Sequence, residues 1–288
     1  MYAITGVTGK VGGAVARGLL AAGLPVRAVV RDETKGAEWA ARGCEVAVAD
    51  IGDRAALAAA FAGAEGAFVL LPPNFDPAPG FAEVRAILTA LRPALEAARP
   101  ARVVCLSTIG AQAAETNLLS QLGLMEAALA DLPMPVAFLR AAWFMENTAG
   151  DLGVARAVGV VPSFLQPLDK PVPMVATADV GRVAADLLRE TWSGVRVVEL
   201  EGPRRVTPDE IAALLSELMG RPVQMEAPPR AAWPALFVAQ GMRHPEPRSR
   251  MLDGFNAGWI EFEAGEAGSL KGAIRIETVL RDLVAADG

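Results

Sequence analysis

Residues 2–12 read Tyr2-Ala3-Ile4-Thr5-Gly6-Val7-Thr8-Gly9-Lys10-Val11-Gly12, a short strand-forming run that passes directly into a turn with G-x-x-G-x-x-G spacing. An apolar helical pattern, Val11, Val15, Leu19 and Leu20, starts at once. Strand, glycine turn and helix in this order are the context that a dinucleotide fingerprint requires. Gly6 permits the tight turn. Gly9 lets backbone approach a pyrophosphate with no Cβ in the way, and Gly12 allows the helix to pack closely on the strand. The free N–H groups of the first helical turn then face the phosphates, aided by the helix dipole. Thr8, Lys10 and Val11 lie in the same turn and complete the expected cradle.

The second strand, residues 25–30, ends at Arg31-Asp32. Arg31 lies about 20 residues beyond the glycines, where the ribose-reading side chain is expected. An acidic residue there would bind the 2′-hydroxyl of NAD, whereas an arginine pairs with the 2′-phosphate of NADP. NADP(H) is therefore the expected cofactor, with NAD(H) admissible. Asp32 offers the other reading, a solvated Arg–Asp pair at a strand end.

Further strand runs fall near 2–5, 45–49, 66–71, 102–106 and 135–140, with helical patterns at about 11–22, 35–42, 53–62, 81–98 and 118–131. Near-continuous apolar strands separated by helices predict a Rossmann-type α/β fold, a doubly wound parallel sheet covered on both faces. Residues 1–150 form this domain, its sheet completed by strands near 172–175 and 196–200. Residues 205–288 form a smaller, mostly helical C-terminal lobe on the substrate side.

Ligands in such sheets bind beyond the carboxyl ends of the strands. The third strand is followed by Asp50 and Ile51. Asp50 can accept from an adenine amino group with Ile51 against the ring, or belong to the cap of the next helix, which Asp53 precedes. The fourth is followed by Leu71-Pro72-Pro73-Asn74-Phe75, the fifth by Ser107-Thr108, and the sixth by Trp143-Phe144-Met145-Glu146-Asn147. Leu71, Pro72, Pro73, Ser107 and Thr108 are expected on the cofactor. Asn74, Phe75, Trp143, Phe144 and Asn147 are expected on the substrate side. Ser107, Thr108, Gln121 and Asn147 also suit caps and turns. In the lobe, Trp233 and Phe237 either form its core or line an apolar pocket.

Apolar residues make up 52% of the 288-residue chain, ample for a buried core, and no apolar run reaches the roughly 18 residues of a membrane span. A net charge of −6 without a basic block gives direct nucleic-acid binding no support. One histidine and two cysteines within strand runs leave no metal cluster to expect. The strand begins at residue 2, with no signal-peptide pattern before it, so a cytoplasmic protein is expected, monomer or homodimer.

Taken in order, these post-strand motifs resemble the NmrA-like family of atypical short-chain dehydrogenase/reductases. The carriers are residues 6–12, the strand 26–31, Ser107-Thr108, Leu139-Arg140 with Phe144-Met145-Glu146-Asn147, residues 175–181, and Leu200-Glu201-Gly202-Pro203 with Thr207-Pro208-Asp209-Glu210. The resemblance implies an NAD(P)-binding domain, a small C-terminal lobe and a cleft between them. It also implies a small aromatic substrate, because members include NAD(P)H-dependent quinone and azo-dye reductases. Other members are redox sensors that bind cofactor without turnover and act through protein partners. Carbonyl-reducing short-chain dehydrogenases use a Tyr-x-x-x-Lys pair. Here Tyr2 is the only tyrosine, and no lysine falls within 118–131. His244, in the polar segment 243–248, is the one titratable alternative as proton donor, and is otherwise a surface histidine. The catalytic group is left unassigned.

Overall fold

The computed structural model describes residues 1–287. Its strands are β1 (Tyr2–Thr5), β2 (Val26–Val30), β3 (Glu45–Val48), β4 (Gly66–Val69), β5 (Val103–Thr108), β6 (Val136–Ala141), β7 (Trp143–Phe144), β8 (Val160–Pro162), β9 (Met174–Val175), β10 (Val195–Glu201), β11 (Gln224–Glu226) and β12 (Leu270–Lys271). The helices are α1 (Lys10–Ala21), α2 (Glu33–Ala41), α3 (Arg54–Phe61), α4 (Ala82–Ala98), α5 (Ser120–Leu129), α6 (Leu152–Ala157), α7 (Thr177–Arg189), α8 (Pro208–Met219), α9 (Trp233–Ala239), α10 (Pro245–Ala257), α11 (Gly265–Gly268) and α12 (Ile276–Ala286).

Eight strands form one parallel sheet in the order β12-β10-β6-β5-β4-β1-β2-β3. Strand alternation distributes the core to its two faces. Ile4, Ala28, Phe68, Val104 and Leu139 point to the face covered by α1, Trp39 of α2, and α7. Ala3, Val29, Ala67, Cys105 and Phe138 point to the face covered by α3, α4 and α5. Burial on both sides explains why these strands read as unbroken apolar runs. The strand order reverses between β1 and β4, which opens a crevice at the carboxyl ends of those two strands.

One strand lies elsewhere than expected. Residues 172–175 do not join the large sheet. Met174–Val175 pairs in parallel with Trp143–Phe144 as a separate ladder, and Val172 makes an isolated antiparallel bridge to Val206. The edge of β6 is already taken by β10, in register from Val195–Val136 to Leu200–Ala141. Pro171 and Pro173 also lack the N–H groups that a full ladder needs. The last sheet strand is instead β12, beside β10.

A buried ionic network joins sheet to lobe. Arg140 on β6 donates to both carboxylate oxygens of Glu126 on α5 (3.0 and 2.7 Å) and to Glu263 (2.9 Å), and it lies 3.4 Å from Glu199 on β10. Its side chain is 5% exposed, and those of Glu126 and Glu199 are 12% and 6% exposed. Burial works against the charged guanidinium, but its hydrogen bonds and charge contact with Glu126 outweigh that and hold its pKa above the ordinary value. Glu199 in turn accepts from the backbone N–H groups of Glu263 and Ala264, which fixes the lobe's return segment over the sheet.

Removing the cation would strand two buried carboxylates. Arg140→Met is expected to lose about 3–5 kcal/mol of stability. Arg189→Met, at an exposed pair with Asp186, is expected to lose about 1 kcal/mol or less. Urea unfolding of the two variants measures the difference.

Candidate functional site

The β1–α1 turn is built by backbone contacts that only small residues allow. Gly6 has φ +65°. A Cβ on Gly12 would stand 2.3 Å from the Gly6 carbonyl oxygen and 2.7 Å from that of Thr5. One on Gly9 would meet a single backbone atom, the Gly6 oxygen at 3.3 Å, a tight contact that a shift of a few tenths of an ångström relieves. Gly9 occupies the N-cap of α1 without a side-chain cap, and no acidic residue sits in the first turn. The first N–H groups of α1 therefore keep their hydrogen-bonding capacity and the positive end of the helix dipole for an anion.

Thr5 holds the crevice open at the switch point. Its Oγ1 donates to the Phe68 carbonyl (3.1 Å) and accepts from the Leu70 N–H (3.2 Å), which ties β1 to the segment leaving β4.

A cavity of about 400 Å³ occupies this crevice. The glycine turn and the start of α1 contribute Gly6, Thr8, Gly9, Lys10, Val11 and Gly12 to its wall, the end of β2 contributes Val29 and Val30 with Arg31 just after it, and the segment after β3 contributes Ala49 and Ile51. Leu70, Leu71, Pro72 and Pro73 follow β4, and Leu106 comes from β5. Phe144, Glu146, Asn147 and Thr177 close the far end.

Arg31 is exposed and has no ion pair among the described residues. The Arg–Asp pair does not form, because Asp32 caps α2. Its carboxylate accepts from the Thr34 hydroxyl (2.8 Å) and N–H (2.9 Å), and those bonds lower its pKa. Arg31 is left free on the cavity wall.

Several expected residues stand outside that wall. Asp50 accepts from the Gly52 N–H at 2.8 Å in a tight turn, while Asp53 caps α3. Ser107 is buried and donates to Glu126 at 2.5 Å, as part of the Arg140 network. Thr108 is paired with Ala141 within the sheet. Asn74 accepts from the Asp76 N–H, and Phe75 projects into solvent, 64% exposed. Trp143 packs edge-on against Phe255 of α10 at 5.4 Å. Trp233 and Phe237 are core residues of the lobe. Both are fully buried against Phe164, and the Trp233 Nε1 donates to the Pro228 carbonyl.

Two polar residues of the wall were not singled out from the sequence. Glu146 accepts from the Thr177 N–H (2.9 and 3.1 Å) and from its hydroxyl (2.5 Å), which caps α7 from a different part of the chain. Glu146 lay inside the 144–147 motif, and Thr177 inside 175–181. Nothing local marked either one, because the cap is made across 31 residues.

On α5, the stretch where a Tyr–Lys pair would lie carries Gln121, which donates to the carbonyls of Asn74 and Leu118, and Glu126, which is held by Arg140. Tyr2 is buried in β1, beside Gly66 at the strand end opposite the cavity. His244 is not in a free loop. Pro245 starts α10 and places His244 at its N-cap, with its backbone N–H donating to Asp76 at 2.6 Å. The Arg243 N–H binds the same carboxylate at 3.0 Å and, with His244, lowers its pKa. Asp76 thereby ties the segment after β4 to the lobe.

The glycine geometry separates two roles. Gly12→Ala is expected to cost about 3 kcal/mol of stability, since the methyl meets backbone. Gly9→Ala is expected to fold with a loss of about 1 kcal/mol or less, yet to weaken NADPH binding about tenfold or more by filling the phosphate approach. Thermal unfolding and fluorescence titration with NADPH read the two effects. A Gly9→Ala protein with unchanged affinity would contradict the cradle.

The NmrA-like family model matches residues 2–246. An NAD(P)H azoreductase of Xenophilus azovorans is 31% identical over 229 residues, 79% of this chain and 77% of that one. Quinone oxidoreductase 2 of Escherichia coli (strain K12) is 29% identical over 250 residues, 84% and 82% of the two chains. The crystal structure of a Citrobacter sp. triphenylmethane reductase complexed with NADP(H) shares the fold at a TM-score of 0.82 and 21% identity, covering 98% of this chain and 100% of that one. Its cavity lies at the switch point of the sheet, and the chain belongs to the NmrA-like family.

Proposed function

We propose that this protein is an NADPH-preferring reductase that passes a hydride to a flat aromatic acceptor of quinone or azo type. The uncapped start of α1 beside an unpaired Arg31, on the wall of one cavity, carries the cofactor half of this reading. The names of the relatives, azoreductase and quinone oxidoreductase, support the acceptor half. When bound, the nicotinamide supplies the hydride. Residues 9–12 hold the pyrophosphate, Arg31 and Lys10 meet phosphate charge, Ile51 and Leu57 provide an apolar wall, and Phe144 and Asn147 bound the far end.

No tyrosine or lysine of this chain stands ready on α5 to donate a proton. Reduction of a quinone needs no such residue. The enolate-like oxygens produced are weakly basic and take protons from water, and the protein supplies proximity and orientation. Carbonyl reduction, which develops a strongly basic alkoxide, would need a positioned acid.

Wild-type protein is expected to oxidise NADPH, followed at 340 nm, with members of a quinone and azo-dye panel. Tight NADPH binding with no turnover across that panel would instead favour a cofactor sensor. NADPH is expected to bind more tightly than NADH, and Arg31→Ala to shrink that gap by about 10- to 100-fold, the worth of a charge-assisted contact. An unchanged ratio would remove Arg31 as the 2′-phosphate reader. His244→Ala is expected to keep kcat within about tenfold, because a true general acid contributes roughly 10²–10⁴. A hundredfold loss with NADPH affinity unchanged would make His244 the donor.

A further inference from the structure

Among the described residues, the charged side chains on the cavity wall are Lys10, Arg31 and Glu146. The strand order separates them. Arg31 follows β2 and Ile51 follows β3, on one side of the switch point between β1 and β4. Leu106 of β5, with Phe144, Glu146 and Asn147 beyond β6, lies on the other side. Lys10 and the uncapped start of α1 stand between the two sides, directly after β1. A dinucleotide with its pyrophosphate on α1 and its 2′-phosphate at Arg31 has the β5–β6 side left for its nicotinamide. The wall's acidic side chain is on that side.

Glu146 is held in place without a cation. Its carboxylate accepts from the Thr177 N–H (2.9 and 3.1 Å) and the Thr177 hydroxyl (2.5 Å). Both donors are uncharged, and no lysine or arginine pairs with Glu146 among the described residues. The N-terminus of α7 that it meets is worth about half a positive charge. Asp179, in the first turn of the same helix, answers that dipole as well. It is buried and accepts from the Ile274 N–H at 2.8 Å. Negative charge is therefore in excess at this end of the cavity, and the bonds to Thr177 fix where one full unit of it stands.

A helix cap does not require a charge, since serine, threonine and asparagine serve equally well. At the N-cap position of α7 stands Ala176, and the cap is supplied by a carboxylate from the cavity wall. Charge here bears on the reaction because the ring changes charge. Passing a hydride, two electrons and a proton, to the acceptor turns a neutral dihydronicotinamide into a monocation. The acceptor that takes the hydride then takes one proton from water. With Glu126 held by Arg140 and no tyrosine or lysine on α5, no acid on that helix assists at the acceptor. Stabilising the donor's new charge is the lever that remains.

We propose that Glu146 is a charge-tuning residue, whose fixed carboxylate favours the cationic, oxidised nicotinamide over the neutral, reduced one and makes the bound cofactor a stronger hydride donor. The proposal rests on the reductase reading for the word donor, but its test reads binding alone.

The test is calorimetric titration with NADPH and with NADP⁺, no acceptor present, read as the Kd for NADP⁺ divided by the Kd for NADPH. The two forms carry the same phosphates and differ at the ring, so losses common to both cancel in the ratio. Glu146→Gln keeps the size and one acceptor oxygen, and is expected to raise the ratio about three- to tenfold over wild type. Thr177→Val takes the hydroxyl from the cap and leaves the charge, so the ratio is expected to stay at the wild-type value or fall. A merely structural cap would weaken both forms together or make these two variants alike. Asn147→Lys, at an exposed position of the same wall, brings in a cation and is expected to raise the ratio about threefold or more. It decides the matter should Glu146→Gln not fold. A ratio unchanged or lowered in Glu146→Gln or in Asn147→Lys, or raised in Thr177→Val, would overturn the proposal. An unchanged ratio alongside NADPH-dependent quinone reduction sinks this proposal alone. A raised ratio in a protein whose wild type shows no turnover sinks the reductase reading alone.

Discussion

The contact between the Gly12 Cα and the carbonyl oxygens of Thr5 and Gly6 sets the geometry of everything downstream. A Cβ on Gly12 would stand 2.3 Å from the Gly6 oxygen, so there is no room for even a methyl group. That closeness lets α1 start directly beneath the end of β1, with its N-terminus aimed at the crevice instead of past it. The crevice exists because the strand order reverses between β1 and β4, and Thr5 bridges the two where their ladder stops. A turn one residue looser would carry the helix dipole away from the switch point between β1 and β4.

The second organising feature is buried charge. Arg140 with Glu126 and Glu199 sits under the lobe, and Glu201 nearby accepts from Arg205, Lys271 and Ser269. Such networks contribute little net stability compared with apolar packing, since each ion gives up its hydration. Their directional demands are strict, however. Glu199 accepts two backbone N–H groups of the return segment, and Arg205 grips Glu261 with two bonds of 2.7 and 2.8 Å. A lobe docked by apolar contact alone could slide. One docked on these carboxylates has a fixed register over the sheet.

The sheet was legible because both faces of each strand are apolar, so the runs at β1, β2, β5 and β6 need no tertiary knowledge to be seen. The cavity wall at residues 6–12 and Arg31 was legible too, because those residues take their place from local backbone and from their position at a strand end. The far end was not. Glu146 acquires its place by capping a helix 31 residues away, and Ser107 loses its expected place because Glu126 claims its hydroxyl. Trp233 and Phe237 carried two readings in the sequence, and only their burial against Phe164 decides between them. β9 and β12, each two residues long, are defined by which edges were vacant and not by any propensity of their own.

The chain carries a net charge of −6, and a pyridine dinucleotide phosphate is itself a polyanion. Long-range repulsion between them is screened beyond roughly 8–10 Å at ordinary ionic strength, so the local field of the cavity governs binding. That field is asymmetric. At one end stand the bare N-terminus of α1, Lys10 and Arg31, with Asp32 turned into its own helix. At the other end the wall's carboxylate, Glu146, is already spent on the N–H and hydroxyl of Thr177, where it balances the dipole of α7. Two helix N-termini thus meet one cavity, one left bare and one neutralised. On the reading proposed above, a phosphate-rich ligand is drawn to the first and finds no competing attraction at the second, and the less charged nicotinamide half would lie toward Phe144 and Asn147.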